Sequence, residues 1–191
     1  MNSEPVRCPW CGDDPIYVAY HDQEWGVPEH DPRHLFEMLC LEGAQAGLSW
    51  RTILMRREAY RDAFDGFDPE RIVRFGEADV TRLLGNSGIV RHEGKIRSVI
   101  GNAQAYLRLH EGDGGFAAWI WQFVDGEPQT NHFTTLAEVP ARTDRSEAMS
   151  RALRKQGFKF VGSTICYAFM QATGMVNDHL TTCHRHATVR T

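Results

Sequence analysis

Helical spacing dominates the hydrophobic pattern of this chain, and one apolar stripe is interrupted by a charge. Leu35, Met38, Leu39, Glu42 and Ala46 share a face at about 100° per residue. Asp31 followed by Pro32 suits the N-cap and first position of that helix. Residues 49–65 open with Ser49 and carry Ile53, Leu54, Tyr60 and Phe64, which predicts a second helix. Asp68-Pro69-Glu70 predicts a short helix with Ile72 and Val73, and Glu77 to Leu84 predicts another. A long helix is expected from about Val90 to His110, with Ile96, Val99, Ile100, Ala103 and Leu107 at helical spacing. Phe116 to Val124 is aromatic-rich, and Asp144 begins a further helix. Ile165 to Thr173 is apolar nearly all round, so a central buried helix is expected there. No segment sustains period-two alternation, and the expected fold class is all-α.

Glu42 changes the picture from folding to chemistry. A carboxylate on a core-facing stripe costs several kcal/mol unless it is paired, hydrogen-bonded or protonated. One reading is a helix that stops early, near Gly43 or Gly47, and leaves Glu42 at a wet end. The other is a pocket floor where a carboxylate meets a flat, electron-poor or cationic ligand. Trp10, Tyr17, Tyr20, Trp25 and Trp50 lie on either side of it in sequence. Any one of these rings is ordinary core filling. As a group they suit a slot for a planar base, stacked on a ring and hydrogen-bonded by Glu42 and a tyrosine hydroxyl.

With 191 residues and 42% hydrophobic content the chain can bury a proper core. It has no run of 18 apolar residues and no visible signal peptide, so a cytoplasmic protein without a membrane span is expected. Five cysteines in a reducing compartment point to metal or free thiols over disulfides. The net charge of −4 hides an asymmetry: residues 1–80 carry −8 and residues 81–191 carry +4. Such a split can mark a polyanion-facing surface, although scattered solvated charge is the commoner cause.

Two further patterns carry chemistry. Leu83-Leu84-Gly85-Asn86-Ser87-Gly88-Ile89 joins two predicted helices, with Arg91, His92, Lys95 and Arg97 just beyond. Gly85 and Gly88 allow a tight connection, and the following helix start offers N–H groups to a phosphate. This is similar to a helix-hairpin-helix element, although it has Gly-x-x-Gly and no proline; an ordinary helix–helix turn fits equally. The second pattern is a set of soft and imidazole ligands far apart in sequence. Cys8 and His21 lie early, His179 and Cys183 late, the last two at a spacing that shares a helix face. Two sulfurs and two imidazoles make a tetrahedral zinc set. Cys11, in Cys8-Pro9-Trp10-Cys11, competes as a ligand, as do His184 and His186.

Longer strings carry a resemblance. Tyr17 to Val27 (YVAYHDQEWGV), Leu35 to Trp50 (LFEMLCLEGAQAGLSW), Gly157 to Tyr167 (GFKFVGSTICY) and Val176 to His179 (VNDH) closely resemble the bacterial type I 3-methyladenine DNA glycosylases. The likeness runs from about Cys8 to Cys183. It implies a helix-hairpin-helix glycosylase fold over residues 1–191, with the hairpin region at about 75–115. It also implies a zinc-binding lobe formed by residues 1–30 and 175–191. The implied reaction, a step of base-excision repair, hydrolyses the N-glycosidic bond of 3-methyladenine in alkylated double-stranded DNA and leaves an abasic site. No nucleotide cofactor is implied, and a monomer is expected. The family's zinc ligands fall on Cys8, His21, His179 and Cys183. Its pocket carboxylate falls on Glu42, with Tyr17, Tyr20 and Trp50 lining the site and Trp10 and Trp25 close by. Its wedge falls on Gly47-Leu48, and the hairpin residues Gly85, Gly88, Arg91 and Lys95 are the expected backbone contacts.

An ionised Glu42, screened by aromatic walls, is expected to favour a cationic adduct over neutral adenine. The superfamily's usual aspartate after the hairpin has no clear counterpart here. Asp178 is expected to hold His179 or to cap a turn. The main alternative function is a non-catalytic, zinc-containing DNA-binding module, which would need no buried anion. A thiol–disulfide oxidoreductase built on Cys8 and Cys11 would need a βαβ setting that the pattern lacks.

Overall fold

The computed structural model describes residues 5–189. Ten α-helices are present among them: α1 (Pro15–Gln23), α2 (Pro32–Gln45), α3 (Trp50–Leu54), α4 (Arg57–Ala63), α5 (Pro69–Ile72), α6 (Glu77–Leu84), α7 (Glu93–His110), α8 (Gly115–Trp121), α9 (Asp144–Lys155) and α10 (Ser163–Ala172). Three of them begin with the same device. Asp14, Asp31 and Asp68 each accept a hydrogen bond from a first-turn N–H, and each precedes a proline that has no N–H to satisfy.

The helices assemble around α2, whose side chains from Leu35 to Ala44 are all buried. α10 packs against α2 and α9, while α7 runs against α5, α6, α8 and α2. The buried helix expected near residue 165 is α10, where Cys166, Tyr167, Phe169 and Met170 are all 2% exposed or less, although Ile165, Ala168 and Gln171 are only partly buried and Thr164 is exposed. Among the described residues, no helix is long and apolar enough to cross a membrane.

Three local expectations need correction. The 49–65 segment is not one helix: the chain breaks at Met55–Arg56, where 3₁₀-type bonds tighten the last turn of α3. The break lets Arg56 donate to the Ser87 carbonyl and lets the Tyr60 hydroxyl accept from the Val90 N–H, so α4 docks on the turn after α6. The long helix starts at Glu93, three residues later than expected, because Val90 is diverted to that tyrosine and His92 becomes the N-cap. The molecule is also not wholly helical. β1 (Gln129–Thr130) and β2 (Val176–Asn177) pair in parallel, Gln129 with Val176 and Thr130 with Asn177. Two residues are too short to show an alternation in the sequence.

Candidate functional site

α2 carries two buried acids five residues apart, and their treatment differs. Glu37 is paired with Arg61, whose Nε lies 2.8 Å from its Oε1. Glu42 is 2% exposed, and its Oε2 has no partner. The helix does not stop early: it continues to Gln45, with Gly43 packed against the Phe160 backbone. Glu42 is thus a buried carboxyl, and burial alone pushes it up to about 8. At pH 7 this burial favours the protonated form. Among the described residues no cation compensates it, so only a ligand's positive charge would favour the ionised form.

The cavity beside Glu42 measures about 220 Å³ and is lined by all five expected aromatics. Trp10 is the hub of the wall. Its ring centre lies 5.1 Å from Tyr17 at 64° and 4.9 Å from Trp25 at 65°. Tyr20 and Trp50 are tilted at 44°, 5.5 Å apart. Burial, with the negative charges nearby, raises both the Tyr17 and Tyr20 hydroxyls above their ordinary range, so they remain donors. The Trp50 Nε1–H is buried and also lacks a partner. One orphan carboxyl oxygen and one orphan donor therefore line a slot with aromatic walls.

Gln45, Leu136, Val139, Ala168, Gln171 and Asp178 line the same cavity and were not assigned to it from sequence. Gln45 lies three residues after Glu42, so its spacing could have shown it. Leu136 and Val139 come from the segment between β1 and α9, where no periodicity points inward. Asp178 corrects an expectation. Its carboxylate does not hold the ring of His179. It accepts from Tyr167 Oη at 2.6 Å, Gln171 Nε2 at 2.9 Å and Asn131 Nδ2 at 2.7 Å. The cage clamps α10 to the strand pair on one wall of the cavity.

Behind the aromatic wall lies a second cluster. Cys8, His21, His179 and Cys183 are all buried, and their ligand atoms lie within 4.8 Å of one another. His179 and Cys183 are not on a helix; a turn closed by Cys183 N–H to the Leu180 carbonyl brings them together. Three of the sulfur–nitrogen distances, Cys8–His179, Cys183–His21 and Cys183–His179, are 3.5–3.6 Å. A tetrahedral ion with about 2.3 Å bonds to sulfur and 2.0–2.1 Å to nitrogen spaces its ligands at about 3.6 Å, so the donor set fits a metal ion of zinc type. The far side of each ring is also fixed. His21 Nδ1 meets Asp22 at 2.7 Å, and Asp22 is itself held by Arg7 and His184. His179 Nε2–H donates to the Trp25 carbonyl at 3.0 Å. Such partners would select the ring nitrogen left to face a metal ion. At Cys183, hydrogen bonds from Cys8, His179 and His21 drive the thiol far below its ordinary range, towards the thiolate that a metal binds. Cys11, the competing sulfur, is turned away and donates to the Cys8 carbonyl. His184 serves Asp22, and His186 contacts the Asn131 carbonyl.

The turn between α6 and α7 is compact. Asn86 Oδ1 accepts from the Gly88 N–H at 2.8 Å, and a Cβ at Gly88 would meet Ala59 at 2.8 Å. Gly85 has an ordinary helical conformation, so its freedom is not used. Arg91 is exposed beside the turn, whereas Arg97 is tied to Glu77 and Glu93. Lys95 does not face outward as a phosphate contact would. Its Nζ donates to the Ala44 and Ala46 carbonyls at 2.8 and 2.6 Å. Between α2 and α3, Gly47 takes φ +78° and Leu48 stands 42% exposed next to the cavity-lining turn.

The methyladenine glycosylase family pattern matches residues 10–186. DNA-3-methyladenine glycosylase 1 of Escherichia coli (strain K12) is 55% identical over 177 residues, covering 93% of this chain and 95% of the relative. A crystal structure of a 3-methyladenine DNA glycosylase I superimposes with a TM-score of 0.93 at 56% identity, covering 95% of this chain and all of that one. A Staphylococcus aureus 3-methyladenine DNA glycosylase I, solved for the structural basis of its 3-methyladenine recognition, gives 0.91 at 35% identity, covering 94% and 96%. Pattern, relatives and structures agree along nearly the whole length, and the chain belongs to the methyladenine glycosylase family.

Proposed function

We propose that this protein is a base-excision repair glycosylase that hydrolyses the N-glycosidic bond of 3-methyladenine in alkylated DNA. The observation that carries the reading is Glu42: a buried carboxyl without a counterion, in a cavity walled by five aromatic rings. The Staphylococcus aureus relative recognises 3-methyladenine, which supports the same ligand here.

Attached to deoxyribose, 3-methyladenine is cationic, whereas adenine is neutral. The cationic base supplies the charge that Glu42 lacks. Its arrival lowers the carboxyl from about 8 and leaves an ion pair inside the slot. A pair about 4 Å apart is worth roughly 4 kcal/mol at an effective dielectric of 20, and adenine gains none of it. Aromatic faces add about 0.5–2 kcal/mol of cation–π attraction where well placed. The C1′–N9 electron pair then leaves with the base, which departs neutral. The sugar cation takes up water and releases a proton, giving the abasic site. Because the leaving group is already activated, Glu42 acts first through recognition and charge.

Reaching the slot requires the nucleotide to leave the stack, at a cost of a few kcal/mol that is smaller for a lesion. Leu48, apolar and exposed, is the wedge that fills the gap. The α6–α7 turn, with Arg91 beside it, is the helix-hairpin-helix element that grips the phosphate backbone. Cys8, His21, His179 and Cys183 hold one zinc ion, which joins two distant segments and supports the wall formed by Trp10 and Trp25.

Chromatography of free bases released from methylated DNA tests the reading. Wild type is expected to release 3-methyladenine with little 7-methylguanine, and Glu42→Gln to release less. No released base from folded, zinc-loaded wild type would leave a DNA-binding helical protein as the better account.

A further inference from the structure

The last turn of α2 joins the cavity to the turn at Gly47–Leu48. Glu42 and Gln45 line the cavity, and two residues later Gly47 and Leu48 leave it. A helix end exposes carbonyls that its own chain cannot satisfy. Here the Ala46 backbone departs at φ −44°, ψ 116°, and the Ala44 and Ala46 carbonyls are bridged by a single ammonium. That ammonium belongs to Lys95, in the first turn of α7, the helix that follows the Gly85–Gly88 turn. The same residue's N–H closes the α7 N-cap onto His92 Nδ1 at 3.2 Å. Lys95 is half-buried, and its loss of solvent lowers its ammonium from the ordinary lysine range. A phosphate contact on a DNA surface would instead be exposed, as Arg91 is.

We infer that Lys95 is a positioning residue which couples the backbone-gripping turn before α7 to the wedge turn at Gly47–Leu48. Docking of the hairpin on DNA is thereby transmitted to Leu48 and to the mouth of the slot. The inference rests on the proposed engagement of duplex DNA, and it separates Lys95 from the residues that hold phosphate.

The test compares wild type, Lys95→Met, Lys95→Arg and Arg91→Gln. Three readouts are taken besides excision: affinity for free 3-methyladenine, salt dependence of duplex binding, and fluorescence of 2-aminopurine beside a tetrahydrofuran abasic site. The last reads wedge insertion without chemistry, so it decides the role of Lys95 even if wild type excises nothing. Lys95→Met is expected to bind free base within twofold of wild type and to keep the wild-type salt slope. Its 2-aminopurine signal should be lost, and its single-turnover excision should fall at least tenfold. Lys95→Arg, which keeps donors and charge, should recover part of both. Arg91→Gln should lower the salt slope by about one. A Lys95→Met protein that lowers the salt slope by one with wedge insertion intact would make Lys95 a phosphate ligand and overturn the inference. So would loss of free-base binding in step with thermal stability, in Lys95→Met or in Lys95→Arg. Unchanged readouts throughout would overturn it as well.

Discussion

Two clusters of polar side chains sit back to back in this molecule, and they are finished to different degrees. In the Cys8–His21–His179–Cys183 cluster the ligand atoms face one another, and the outer ring nitrogens meet Asp22 and the Trp25 carbonyl. In the aromatic cavity, Glu42 Oε2 and Trp50 Nε1 are buried with nothing to bond. A closed cluster of ligating atoms describes a part of the scaffold. An open one describes what has to come from outside, because a buried polar atom without a partner costs about 1–3 kcal/mol until something fills the site. The contrast between Glu37 and Glu42 repeats the lesson within one helix. The acid paired with Arg61 belongs to the fold, and the unpaired one is, on the proposed reading, left for the ligand.

If the first cluster is scaffold, opening it should cost the most. Cys183→Ser is expected to lose at least nine-tenths of its zinc and about 5 kcal/mol of stability, equivalent to roughly 10–20 °C in melting temperature. Elemental analysis and calorimetry measure both. Retained stability after metal removal would erase the distinction between the clusters.

Glu42→Gln should do the reverse, sparing the fold and damaging the chemistry. Excision of 3-methyladenine is expected to fall about 100-fold, or about 2.7 kcal/mol in transition-state free energy. The variant should also be more stable than wild type near pH 8. Between the ordinary carboxyl value of 4.5 and about 8, folded Glu42 keeps its proton while the unfolded chain gives it up, so rising pH favours unfolding. Roughly 4 kcal/mol of stability should be lost across that window in wild type and kept in the glutamine variant. Denaturant melts at pH 5 and pH 8 would show it.

The same titration gives the activity profile its sign. Below about 8 the carboxyl must release a proton to face a cation, so kcat/KM should rise about tenfold per pH unit and then level. A flat profile in wild type would contradict the proposed role of Glu42. The smallest effect should come from Asp22→Asn, which leaves all four ligating residues in place but loosens His21. Zinc affinity is expected to fall 10- to 100-fold, read by competition with a chelator, with the base slot still able to bind free 3-methyladenine.

What the sequence made legible was local. The Asp31-Pro32 start and the burial of the Glu42 face rest on residue type and spacing along a few turns, whereas the four candidate ligands were singled out by the family resemblance alone. The reason for the His179–Cys183 spacing was misread: a turn, not a helical face, brings them together. The break at Met55–Arg56 and the late start of α7 depend on Arg56 reaching the Ser87 carbonyl and the Val90 N–H reaching the Tyr60 hydroxyl, which no periodicity encodes. Leu136 and Val139 reach the cavity from an irregular segment for the same reason. Lys95 looked like a surface cation because sequence cannot show which carbonyls lie within reach.

The Cys8–His21–His179–Cys183 cluster also bears on how the protein is made. Cys8 and His179 are separated by 171 positions, yet their side chains share one buried centre against which Trp10 and Trp25 rest. A chain emerging from the ribosome can form α2 and place Glu42 long before His179 and Cys183 have been translated. Until then Cys8 and His21 lack the two partners that would complete the proposed zinc site. Completion of the recognition slot is consequently among the last events in the birth of this enzyme.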